Sequence, residues 1–546
     1  MPRLAILLAL VLPSLGVAAV ACGGGGGTNG DNGGGNDSGT SSDTGSPTQG
    51  DSGPATDSGT HAGDAGDAGA DAKSDGSSDA AADAPVVQEG TQLVSGAGLT
   101  VLNVTSDGYV IYWTSPAASM WQVFAVPLAG GAPVTVAGPN TGSFYAYILG
   151  EHVLVWQLGG STDTIGALSV WSHAAGTAQL STASVAGAAW TSGDDSKLAF
   201  LTNATTTTAD FTVAGSDGSG ATTLTTGVSL TGCSFNALFV SGGIVAQHCS
   251  GQISDGGLPT LPPTLTFWPT SGGADAGVNV VDLPANPFGY DWSTDLAGDL
   301  LYAVANTTNK GATYALPALT ATTIDPTAGG QGFLTSDGSK VFYVNASKNI
   351  EVSSTTTPSP STLVSGGNVF GLTLLSPNGS TLAYYTQPEI NPAGDFVSDL
   401  YIAPTAAPSS GQAVLTTKTL LAAAVTHDSN YLTVYASTSS DDTTGTLSYV
   451  PLGADGGAAE AGAGAGAVLG TNVGEAALGQ GARIVFSPNY DETTGVADLQ
   501  FANLGAGGAP QLLATTIYSF VMSSDLSQAV YSAGVGDAGI YAVSIP

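Results

Sequence analysis

Two pairs of adjacent carboxylates, Asp194-Asp195 and Asp441-Asp442, are the residues best suited to acid-base chemistry in this sequence. Such chemistry needs one carboxyl that holds a proton near neutrality beside one that does not. Both pairs stand in polar, Gly/Ser/Thr-rich stretches ("SGDDSK", "SSDDTTG"), where solvated turn residues are the simpler account. Of the five histidines, His61 lies in the Gly/Asp-rich N-terminal segment, and His152, His173, His248 and His427 are expected in different repeat units, each as a strand or turn residue rather than a ligand. No H-E-x-x-H, C-x-x-C or G-x-S-x-G occurs. Gly-rich turns such as "GGSTDTIG" at 159–166 do not open helices, so they are not phosphate cradles. The expectation is no catalytic residue, no metal and no cofactor, with the ligand-binding residues unassigned.

The cysteines carry different chemistry. Cys233 and Cys249 lie in "GCSFNALFVSGGIVAQHCS", two apolar runs around "SGG". This reads as a hairpin with the cysteines near its open end, and in an oxidising compartment a disulfide is expected. Two buried thiols are the alternative. The third, Cys22, follows "MPRLAILLALVLPSLGVAAVA", a basic start, an apolar stretch and a small-residue zone, which together form a secretory signal. Ala19-Val20-Ala21-Cys22 resembles a bacterial lipobox, with Ala19 where that family usually has Leu. The resemblance implies cleavage between Ala21 and Cys22, lipidation of the Cys22 thiol and an outer-membrane destination, since Gly23 is not Asp.

From Cys22 to residue 87 almost every residue is Gly, Ser, Thr, Asp, Asn or Ala, with almost no large apolar residue. Such a segment cannot bury enough surface to offset its ordering entropy and is expected to be a disordered tether. Its aspartates are spaced too widely for a calcium loop. The expected organisation is a signal peptide over 1–21, a tether over 22–87 and a folded body over 88–546.

Composition narrows the partners. The chain has 8 Lys+Arg against 42 Asp+Glu, and Arg483 is the only arginine beyond Arg3, so nothing could neutralise a phosphate backbone. Nucleic acid is excluded as a partner. An envelope protein or a neutral glycan is compatible, and the membrane is reached through the N-terminal anchor.

The elements that must position any site come from a repeat. "TSDGYVIYWTS" at 105, "SGDDSKLAFLTN" at 192, "TSDGSKVFYVNA" at 335, "SPNGSTLAYYT" at 376, "THDSNYLTVYAST" at 426 and "SSDLSQAVYSAG" at 523 share a polar turn followed by a β-branched, aromatic strand. Weaker copies begin at 149, 241, 296 and 478. A period of about 40 to 55 residues marks a four-stranded propeller blade. The strand after each turn is apolar on both faces, as a strand between two neighbouring sheets must be. The pattern resembles the TolB-type propeller repeat, and "SPNGSTLAYYT" is the nearest copy, with Asn378 where that family has Asp.

The fold expected is therefore all-β: a β-propeller of about eight to ten four-stranded blades. "GTQLVSGAG" at 90–98 matches the unit-ending "STLVSGG" at 361–367 and should complete the last blade. One ring closed by that N-terminal strand, or two smaller rings, both satisfy the pattern. The resemblance implies architecture and leaves function open between two readings. One is a lipid-anchored, non-enzymatic binding or scaffold protein of the envelope. The other is a glycan-active hydrolase or lyase using carboxylates in the central channel. A sugar-stacking surface built from Trp121, Trp171, Trp190, Trp268 and Trp292 competes with packing of those rings between blades.

Overall fold

Six of the ten repeats begin with a latch. The Thr105 hydroxyl donates to Asp107 Oδ1 and accepts the backbone N–H of Tyr109. The same pairing recurs at Ser192/Asp194, Thr335/Asp337, Ser376/Asn378, Thr426/Asp428 and Ser523/Asp525, at 2.6–2.8 Å. One residue of every turn must then take a left-handed backbone. That residue is Gly108, Gly150, Asp195, Gly242, Gly298, Gly338, Gly379, Ser429, Gly481 and Leu526 in chain order. Glycine takes this conformation without steric cost, so it holds seven of the ten positions. The four weak copies all rely on it.

The computed structural model describes residues 18–22 and 90–546, apart from short interior stretches of which 250–262, 285–291, 159–164 and 460–465 are the longest. Among the described residues, ten antiparallel four-stranded blades follow one another. They span 99–141, 144–181, 185–229, 236–282, 292–325, 328–364, 369–418, 420–473, 476–514 and 517–544, numbered here blades 1 to 10. Two long strands, Gly176–Thr191 and Gln511–Met522, each serve as the outer strand of one blade and the inner strand of the next. The expected hairpin around "SGG" is present, with Val240 opposite Gly243. In the Gly- and Ala-rich stretch 453–472 the chain still supplies an outer strand, Ala467–Val473, to blade 8.

The core lies between blades. In Tyr109–Thr114, Val110 and Tyr112 pack toward blade 10 while Ile111 packs toward blade 2. In blade 2, Val153 and Val155 face blade 1, and Leu154 and Trp156 face blade 3. This alternation explains the doubly apolar strands, since successive side chains point to opposite faces of a sheet. The apolar clusters run in sequence from blade 1 to blade 10, and a last one joins Val530 and Ile540 of blade 10 to Val101 and Val110 of blade 1. That cycle is one ring rather than two.

Thr91–Ser95 closes the ring as the fourth strand of blade 10, with Val94 opposite Ile540. Gln92 Nε2 donates to the Tyr541 hydroxyl at 2.9 Å, and the Gly96 N–H donates to the Ala538 carbonyl at 2.9 Å. The first described segment, Ala18–Cys22, pairs antiparallel with the inner strand of blade 2, Cys22 opposite Phe144.

Candidate functional site

The turns join the inner strand of each blade to its second strand, and neighbouring turns touch. The Ser106 N–H donates to the Gly150 carbonyl at 2.9 Å, Ser241 to Gly298 at 3.0 Å, and Leu296 to Ser336 at 3.2 Å. The Ser524 hydroxyl reaches the Ser106 carbonyl at 3.5 Å across the closure. The repeated acidic residues therefore share one rim of the ring. Their chemistry is that of hydrogen-bond acceptors. Asp194 accepts from the Ser192 hydroxyl at 2.6 Å and from the Ser196 hydroxyl and N–H at 2.8 and 3.2 Å. Those bonds hold its carboxyl down at about 2, and the equivalent bonds from Thr335 and Ser339 do the same for Asp337. Asp428 and Asp525 are shifted the same way. A general acid needs the opposite shift. Asp195 supplies the left-handed turn residue, and Asp441 and Asp442 lie outside the described residues.

His152 and His173 both belong to blade 2, against the expectation of separate repeat units, while His248 lies in blade 4 and His427 in blade 8. His152 is buried in blade 2 with Nε2 3.7 Å from Glu151, and exposed His173 stacks on Tyr109 at 4.4 Å. His248 Nε2 lies 2.9 Å from the Thr266 hydroxyl, and burial lowers its pKa. His427 is exposed in the turn of blade 8, and His61 lies outside the described residues. Among the described residues no group of three His, Cys, Asp or Glu could hold a metal ion. Cys249 is buried and disulfide-bonded. Cys233, the partner expected for it, lies outside the described residues, as does 23–87 of the expected tether.

Among the described residues two carboxylates are buried, and neither is idle. Asp325 accepts from the Tyr343 hydroxyl at 2.8 Å and from the Thr327 N–H and hydroxyl at 2.7 Å each. Glu351 accepts from Asn345 Nδ2 and the Thr362 hydroxyl, both at 2.9 Å. These bonds satisfy charges that would be costly if left alone in the interior.

The tryptophans do not share a surface. Trp121 packs on Phe144 at 4.5 Å, Trp171 on Tyr109 at 6.0 Å and Trp268 on Phe211 at 5.5 Å, each between blades. Trp156 Nε1 donates to the Val185 carbonyl at 3.0 Å, and Trp292 Nε1 to Gln247 Oε1 at 2.9 Å. Trp121 differs: its Nε1 has no hydrogen-bond partner, and the ring borders a cleft between blades 1 and 2. Sequence reasoning missed that cleft, because its walls come from two repeats.

Among the described residues no helix is long and apolar enough to cross a membrane. No known protein family and no curated protein matches the chain. Solved structures do. The tricorn protease is similar at 13% identity and a TM-score of 0.30 over 83% of this chain, which spans about half (52%) of that protein. The C-terminal WD40 domain of Sif2 is similar at 8% identity and a TM-score of 0.35, over 84% of this chain and 99% of that domain. TolB from Acinetobacter baumannii is similar at 13% identity and a TM-score of 0.23, over 48% of this chain and 63% of TolB. At such scores the β-propeller assignment rests on this chain's own blades and closure.

Proposed function

We propose that the chain is an exported lipoprotein of the outer membrane, lipidated at Cys22 after cleavage between Ala21 and Cys22, whose propeller works as a non-enzymatic binding or scaffold protein. Its partner is an envelope protein or a neutral glycan. Cleavage would remove Ala18–Ala21 from their pairing beside blade 2. The lipidated Cys22 would then begin a tether that holds the ring off the bilayer.

The observation that carries the binding reading is the use made of the repeated carboxylates. They serve as turn acceptors with lowered pKa, and the buried pair Asp325 and Glu351 is occupied by Tyr343, Thr327, Asn345 and Thr362. A hydrolase or lyase would need a carboxyl set aside to hold a proton. Loops on a rigid ring are suited to recognition.

Affinity capture tests the proposal. The chain is immobilised, exposed to a solubilised envelope extract, and the retained proteins are quantified by mass spectrometry. One discrete, near-stoichiometric partner supports the scaffold reading. Nothing above background counts against it and leaves the glycan arm, read by a defined glycan panel. Metabolic labelling with a radioactive fatty acid tests the anchor: label present in the wild type and absent from Cys22→Ser is expected, and equal labelling sinks lipidation at Cys22.

A further inference from the structure

We propose that the cleft between blades 1 and 2 binds one uncharged, hydroxyl-bearing six-membered ring, such as the terminal unit of a neutral glycan. This rests on the reading of the propeller as a binding protein and names the ligand class of one site on it. The cleft holds about 170 Å³. An engineered protein cavity of about 150 Å³ accommodates a benzene ring, so the space suits a single ring.

A bulge builds the cleft. On the outer strand of blade 1, Val134–Thr141, Asn140 lies opposite Trp121 and Ala137 opposite Val123, so Gly138 and Pro139 together face the single residue Gln122. Gly138 has a φ of +90°, and a Cβ there would come within 2.7 Å of the Trp121 carbonyl oxygen, so only glycine fits. A bulge bends its strand and re-aims the side chains beyond it. Here Asn140 reaches blade 2, where its Nδ2 donates to Gln157 Oε1 at 3.1 Å.

The polar groups left over form a small set. Asn140 keeps its Oδ1 as an acceptor, and Gln157 keeps its Nε2 as a donor. The Thr177 hydroxyl, which donates to the Val136 carbonyl at 3.1 Å, retains its lone pairs. Trp121 is 3% exposed, and its Nε1–H lacks an acceptor. That nitrogen is itself sealed from the cleft, so Trp121 contributes its ring as one wall rather than a donor to the ligand. Trp113 also has an unpartnered Nε1, but it does not border the cleft.

The charge of the ligand follows from the walls. Asn140, Gln157, Ser169 and Thr177 supply the polar edge, the remaining lining residues are Trp, Gly, Ala and Val, and none is charged. An anionic sugar would enter unpaired and meet the field of a chain with net charge −34.

The test is saturation-transfer NMR on the purified full chain in detergent with glucose, galactose, mannose, N-acetylglucosamine and glucuronic acid. Single small rings bind at about 1 mM at best, so each sugar is titrated to about 50 mM. Saturable binding of a neutral sugar is expected, weakened about tenfold by Gln157→Leu, which removes a donor, weakened also by Trp121→Phe, which shortens one wall, and unchanged by Trp268→Phe. Gln157→Leu gives the reading if Trp121→Phe does not fold. No saturation by any neutral sugar, saturation unaltered by both cleft variants, or equal binding of glucuronic acid overturns the proposal. The assay uses defined sugars, so a failed capture from envelope extract and a failed cleft remain separate results.

Discussion

The Ser192 hydroxyl donates to Asp194 Oδ1 at 2.6 Å while accepting the Lys197 backbone N–H at 2.9 Å. One side chain thus joins the turn's carboxylate to the first N–H of the next strand. Five further turns repeat the arrangement, so the latch belongs to the fold before it belongs to any chemistry. It also has a pH signature. Hydrogen bonds lower the folded pKa of Asp194 and Asp337 from 3.8 to about 2. A lowered carboxyl stabilises the fold above its unfolded pKa, and that contribution disappears as pH falls through the folded value. The melting temperature should therefore be nearly flat above pH 5 and drop between about pH 4 and pH 2. Replacing Asp194 and Asp337 together by Asn should flatten that drop. A calorimetric series over this range decides it, and an unchanged acid limb in the double variant would mean that other carboxyls govern acid unfolding.

The closure of the ring makes a second prediction. Ile540 is fully buried where blade 10 meets blade 1, and its strand partner is Val94. Ile540→Ala should cost about 2–5 kcal/mol, as core truncations do. Deleting 90–96 should cost more, because it removes the fourth strand of blade 10 and bares the edge of Gly539–Ser544. The deletion variant should also associate through that edge, visible as a concentration-dependent sedimentation coefficient. A monomeric deletion variant that melts like wild type would show that closure contributes little.

Gly150 tests contact between turns. Its φ is +59°, and a Cβ there would lie 1.8 Å from Asp195 Oδ2 in the next blade. Gly150→Ala should therefore destabilise by more than the roughly 1 kcal/mol of a left-handed alanine alone. Combining it with Asp195→Gly should recover part of the loss, since the clashing carboxyl is gone and position 195 is itself left-handed. Chemical denaturation of the four members of this cycle measures the coupling, and strict additivity would mean the turns are independent.

Much of this architecture was legible in the sequence because the turn has a local requirement. A left-handed residue before an apolar strand appears even in the copies at 149, 241, 296 and 478, which lack the Asp latch but keep Gly150, Gly242, Gly298 and Gly481. The alternation of Val110, Ile111 and Tyr112 between two inter-blade clusters likewise follows from two apolar faces. The choice between one ring and two was not legible, because it depends on which blade Val530 meets, a contact spanning the chain. The cleft at Trp121 was hidden for a similar reason. Its polar edge needs the bulge at Gly138 and the arrival of Gln157 from another repeat.

Leu526 is the exception among the turns, and it yields the last prediction. Seven of the ten positions use glycine, and Asp195 and Ser429 have short polar side chains, whereas Leu526 holds a φ of +58° with a branched aliphatic one. An L residue in this region pays about 1–2 kcal/mol that glycine avoids, while glycine gives up entropy in the unfolded chain. Leu526 is only half-buried and belongs to none of the core clusters, so little packing is lost on truncation. The strain term is the larger, and Leu526→Gly should stabilise the protein by about 0.5–1 kcal/mol. Leu526→Ala separates the two contributions, since it keeps the Cβ and the strain while deleting the rest of the side chain. If Leu526→Gly melts below wild type and Leu526→Ala matches it, the side chain's contacts outweigh the backbone cost at this turn.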